Sequence, residues 1–158
     1  MPLMSSRLPD GTSSSVLLAE EAVIAAVLLD DEAYALVADL HPGDFRNEQN
    51  RAMWLAIQHL SARGELVTVI TLAHELATRG ALDDVLDEVL IQTIVGNWFT
   101  SIGVEAHATI VKQDAERRRL QRVGQEIVKE ANRGNLERGW DLAGGREQAI
   151  TDHYRDEI

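Results

Sequence analysis

Residues 104–131 read VEAHATIVKQDAERRRLQRVGQEIVKEA. Apolar side chains recur through this stretch at Val104, Ala108, Val111, Ala115, Leu120, Val123 and Ile127, in steps mostly of three and four. That period sets them along one side of an α-helix, as in a helix that packs along a partner helix. Ser101 or a neighbour is expected to start the helix, and Asn132-Arg133-Gly134 to end it. About thirty residues is long for a helix of a globular protein. Leu136, Trp140, Ala143, Ile150 and Tyr154 continue with similar spacing, so a second helix is expected to follow at once, weakened near its middle by Gly144-Gly145. The stretch therefore predicts a helical hairpin over residues 101–158.

Upstream, residues 16–100 keep a helical period and predict a compact helical bundle, the head. Residues 17–29 are apolar almost all round, the pattern of a central, fully packed helix. Asp30 is expected to cap a short helix carrying Ala33, Leu36, Val37 and Leu40, which the turn His41-Pro42-Gly43-Asp44 ends. Asn47 is expected to cap a third helix with Ala52, Met53, Ile57 and Leu60 on one side, Trp54 flanking them and Arg63-Gly64 as the stop. Residues 66–70 read as an extended linker. A fourth helix then carries Leu72, Leu76 and Ala77 up to Gly80, and a fifth covers 82–95. Residues 1–15, with two prolines, a glycine and five serines, predict a floppy tail. The fold class expected is all-α: a helical head followed by a long helical hairpin, with no internal repeat.

Composition narrows the function. A chain of 158 residues, 45% hydrophobic and 26% charged, fits one soluble folded domain with at most an appended helical element. Without cysteine there are no disulfides, thiolate metal sites or cysteine nucleophiles, in keeping with a reducing compartment. Neither a membrane span nor a signal peptide is legible, and a cytoplasmic location is expected. A net charge of −11 argues against sequence-independent DNA binding, which needs clustered Lys and Arg, and favours protein partners. The charge is uneven: residues 105–133 hold seven Lys/Arg and five Asp/Glu, against eight and twenty-one elsewhere.

Catalytic patterns are missing from the sequence. The glycine cluster of residues 139–145 is followed by Arg146-Glu147 and not by Lys-Ser/Thr, so it does not form a nucleotide-binding loop. His41, His59, His74, His107 and His153 fit no zinc-binding spacing. The acidic groups Asp30-Asp31-Glu32 and Asp83-Asp84 with Asp87-Glu88 stand at expected helix starts, where acids complement the helix dipole. No catalytic residue, metal or cofactor is therefore assigned. Three features are left for an interface: the basic run Arg117, Arg118, Arg119 and Arg122, which either pairs with another subunit or keeps the helix soluble; Trp98-Phe99, expected to plug the junction before the long helix rather than meet a partner; and Trp140 with Tyr154, either hairpin core or interface. With Val111, Leu120, Val123 and Ile127 these arginines, Trp140 and Tyr154 are the candidate interface residues.

The order of these segments resembles the N-terminal domain of DnaB-type replicative DNA helicases. AEEAVIAAVLLDDEA (19–33) looks like that family's opening helix, and VADLHPGDFRNEQNRAMWLAI (37–57) is similar to its next segment, with Asp44, Phe45 and Ile57 in register. ARGELVTVITLAHELATRGAL (62–82) matches through Gly64, Val67, Thr71, Leu72, Leu76, Gly80 and Leu82, and residues 104–131 resemble the family's hairpin helix. The sequence departs from the family at Ala25 or Ala26, where glycine is usual, at His107, where tyrosine is, and over 83–89. The resemblance implies a hairpin that pairs with a neighbour's, six such domains forming a collar of three dimers, and docking of the primase C-terminal domain. It also implies a parent helicase driven by ATP whose motor this chain does not contain. Two other readings are a stand-alone accessory protein that binds helicase or primase, and a small enzyme or ligand-binding bundle with a pocket near Trp98 and His107.

Overall fold

The computed structural model describes residues 14–146. These are all helical: α1 Ser14–Leu29, α2 Ala33–Val37, α3 Glu48–Ala62, α4 Val69–Thr78, α5 Glu88–Asn97, α6 Val104–Arg133 and α7 Leu136–Leu142, with a 3-10 turn over Pro42–Asp44. Among the described residues there is no strand. The expected tail falls mainly on residues outside this range, but Ser14 and Ser15 already belong to α1.

The central helix is α1, whose Val23, Ile24, Ala25, Ala26 and Val27 have at most 1% exposure. Burial on every side explains its nearly unbroken apolar sequence. Around it the core gathers Val37, Leu40, Phe45, Met53, Trp54, Ile57, Leu60, Leu72, Leu76, Ile91 and Ile94. Trp54 lies fully inside that core, not on its flank. Val104, Ala108 and Val111 join the same cluster, so the first turns of α6 are head structure. Two compact units divide between Ala115 and Glu116, later in the chain than the boundary near residue 100 expected from the sequence.

Local hydrogen bonding sets the helix boundaries. The Asn47 side chain accepts from the Asn50 amide, the expected cap of α3. Asp30 acts differently from expectation. Its Oδ1 accepts from the Glu32 amide, while Glu32 itself stands at the N-cap of α2 without a side-chain cap. The linker expected over 66–70 is extended only as far as Thr68. There Thr68 Oγ1 accepts from the Thr71 amide and Thr71 Oγ1 accepts from the Thr68 amide, at 3.1 and 2.8 Å, so α4 begins at Val69. Thr68→Ala should therefore cost about 1 kcal/mol, read as a lower urea midpoint with an unchanged slope; an unchanged midpoint would contradict this account of the cap.

The fifth helix begins six residues later than its apolar spacing suggests. Asp83 Oδ1 accepts from the amides of Val85 and Leu86, which holds a turn before Asp87 caps α5. At its far end α6 closes on Gly134, whose φ of +79° favours glycine. Beyond it α7 spans only seven residues. Gly144 and Gly145 do not merely weaken a longer helix there: both have positive φ and end it. The continuation expected through Ile150 and Tyr154 lies outside the described residues.

An ion-pair network joins α3 to α4. Arg63 bridges Glu75 at 2.8 Å and Glu65 at 2.9 Å, and Arg79 reaches Glu75 at 3.1 Å. The Arg63 guanidinium above all holds the Glu75 carboxyl down to about 2. A depressed folded-state value stabilises the fold above the ordinary carboxylate range, and that contribution disappears as pH falls from about 4.5 towards 2. The gap in urea midpoint between the unaltered chain and Glu75→Gln should thus be widest above pH 5 and close near pH 2. A gap independent of pH would contradict this.

Candidate protein–protein interface

Within the head, polar contacts fix the first part of α6. Arg46 Nη1 pairs with the buried Asp114 at 3.4 Å, Lys112 Nζ with Asp39 at 2.6 Å, and Ser101 Oγ donates to Asp30 Oδ2. Val111 is fully buried. This corrects its place among the candidate interface residues, because its face is already occupied by the head. The period is helical as expected, but this side chain belongs to the hydrophobic core of the head.

From Glu116 onward the same apolar period runs through open surface. Leu120 is 71% and Val123 39% exposed, and Ile127 is half-buried. Arg117, Arg119 and Arg122 are exposed beside this stripe and Arg118 is half-buried. Arg117, Arg118 and Arg119 each make at least one hydrogen-bond, ionic or ring contact.

At the end of α6 the chain turns back around a buried carboxylate. Glu130, 3% exposed, accepts from Asn135 Nδ2 at 2.6 Å and from Arg133 Nη1 at 3.4 Å, with Arg138 Nε 3.7 Å away. The Asn135 hydrogen bond, with the two guanidinium charges, holds its pKa below the usual carboxylate range. This corner brings Ile127 and Ala131 against Leu136, Gly139, Trp140 and Ala143 around an apolar depression of about 250 Å³. Trp140 is half-buried there, with the Arg146 guanidinium 5.9 Å from its ring. Tyr154 lies outside the described residues. The structure thus brings Ile127 and Trp140 together, with Leu120 and Val123 leading to them along α6.

The aromatic pair before α6 divides. Trp98 packs against the head core and stands 5.9 Å from the His107 ring, whereas Phe99 is 93% exposed. The expectation of a plug fits Trp98 only. Sequence reasoning also missed Glu20, an acid in an apolar helix that turns out fully buried and hydrogen-bonded to the chain entering α3. Among the described residues no three His, Asp or Glu side chains converge as a metal site, and no helix is long and apolar enough to cross a membrane. What the surface of residues 116–146 offers is apolar contact area flanked by charge, which is the chemistry of protein association.

Comparison with known proteins gives these surfaces their context. The family model described as "DnaB-like helicase N terminal domain" matches residues 13–113. The replicative DNA helicase DnaC of Bacillus subtilis is 30% identical over 129 residues, which cover 81% of this chain and 28% of that protein. The replicative DNA helicase DnaB of Mycobacterium leprae is 33% identical over 113 residues, 71% of this chain and 19% of that protein. The chain therefore spans about a quarter of the length of such relatives. The crystal structure of the N-terminal domain of DnaB helicase from Mycobacterium tuberculosis superposes with a TM-score of 0.74 at 30% identity, covering 80% of this chain and 94% of that one. The family model and these relatives together show that the chain belongs to the DnaB-like helicase N-terminal domain family.

Proposed function

We propose that this chain serves as the self-association and primase-docking domain of a replicative DNA helicase, with the ATP-driven motor in another part of the parent protein. The observation that carries the reading is the apolar stripe Leu120, Val123 and Ile127, left open on a helix of a replicative-helicase family. Exposed apolar side chains repeated along one helix face stabilise most when a second helix covers them. A second copy of the same surface fits, in a dimer or in a trimer of dimers within a full helicase. The acidic chain favours docking to the primase C-terminal domain over direct contact with DNA.

Sedimentation equilibrium of the unaltered chain against a Leu120→Glu, Ile127→Glu double variant tests this. The unaltered chain should associate with rising concentration, and the variant should stay monomeric with its helical content unchanged. A chain that is monomeric throughout, or a variant that associates equally well, would overturn the self-association reading.

A further inference from the structure

A second surface lies in the head, between α4 and α5. Val69, Ile70, Ala73, His74 and Ala77 of α4 face Glu88 and Gln92 of α5 across a groove of about 330 Å³. Val69, Ala73 and Ala77 recur every four residues, so the floor runs about 12 Å, two helical turns. Its small alanine side chains keep the floor open. Ile70, on its lip, is 80% exposed despite its apolar side chain. That length admits two bulky side chains spaced one turn apart on an incoming helix.

Charge indicates what kind of helix. Of the seven carboxylates between Arg63 and Val111, Glu65 and Glu75 are bonded to Arg63, and Glu75 also to Arg79; the other five are Asp83, Asp84, Asp87, Glu88 and Glu105, and no further Lys or Arg stands in that stretch. Neither α4 nor α5 carries a lysine or arginine. Glu88 lines the groove, and Asp84 and Asp87 occupy the turn just before it. An acidic occupant would meet repulsion along this edge, and a basic one attraction.

We infer that the α4–α5 groove seats one amphipathic helix of the docking partner, with apolar side chains one turn apart in the groove and basic residues against Glu88. This rests on the docking half of the proposed function and adds the surface and the chemistry recognised. It shares no residue with the α6 stripe, so the two surfaces can be altered independently.

The test uses the full chain, isotope-labelled, titrated with the primase C-terminal domain and observed by amide and methyl resonances. Ile70→Lys and Glu88→Lys both change exposed side chains, so each variant should keep its helical spectrum; Ile70→Lys should keep its urea midpoint, and Glu88→Lys, which reverses a charge in the first turn of α5, should lower it only slightly. Perturbations should concentrate at Val69, Ile70, Ala73, Ala77 and Gln92, and each substitution should weaken binding at least tenfold. A Leu36→Lys control, exposed elsewhere on the head, should bind as the unaltered chain does. Binding that ignores both groove substitutions would overturn the groove assignment and leave the docking reading standing. Absence of binding to the unaltered chain would overturn both. If Ile70→Lys instead abolishes association of the chain with itself, a second copy covers the groove and the partner assignment falls.

Discussion

Replacing Glu20 with alanine should destabilise the head by about 3–5 kcal/mol, the scale expected when several buried donors lose one shared acceptor. Glu20 is fully buried on α1, and its carboxylate accepts from the Arg46 amide at 2.6 Å, the Asn47 amide at 3.1 Å and Asn50 Nδ2 at 3.0 Å. One side chain thus fixes the chain just before α3 and that helix's first turn against the central helix. Alanine would leave all three donors without this acceptor, and a buried unsatisfied donor costs about 1–3 kcal/mol. The loss is a large share of the 5–15 kcal/mol typical of a whole domain. Glu20→Gln keeps the shape but turns one acceptor into a donor facing other donors, so it should fall between the two. Urea midpoints at constant slope give the comparison; a loss below about 1 kcal/mol for alanine would show that water replaces the carboxylate and that the contact is not structural.

The second large effect is expected at Trp54, the largest fully buried side chain of the core. Its ring stands 5.2 Å from Phe45 and 5.8 Å from Tyr34, and its Nε1 donates to the Leu40 carbonyl at 2.9 Å. Trp54→Ala should cost about 3–5 kcal/mol through lost burial and an unfilled cavity. Trp54→Phe separates packing from the hydrogen bond. The Leu40 carbonyl also accepts from Gln58 Nε2 at 3.0 Å, so it keeps a partner when the indole is gone. The phenylalanine variant should therefore lose much less, about 1–2 kcal/mol. Equal losses for the two variants would contradict this division.

Much of the head was legible because its signals are local. Asn47 before an amphipathic run, the glycine after α6 and the apolar run of α1 each act within a few residues of themselves. The start of α5 was misread because Leu82, Leu86 and Val89 or Leu90 keep helical spacing, while the Asp83 side chain binds two amides that a helix would need. Similarly, the β-branched residues 67–70 suggest an extended linker as far as Ile70, and the reciprocal bonds of Thr68 and Thr71 start α4 at Val69 instead. Helical period also cannot distinguish partners. Val111 and Leu120 belong to one stripe in the sequence, yet the first is covered by the head and the second is open. The α4–α5 groove was not legible at all, since it exists only where two helices approach and their small residues leave space.

Calorimetric titration of the chain with the primase C-terminal domain from the same organism, at physiological salt, tests most directly whether this domain works by binding other proteins of replication. Saturable binding with a defined stoichiometry is expected. No heat and no co-migration, with both proteins shown to be folded, would contradict it.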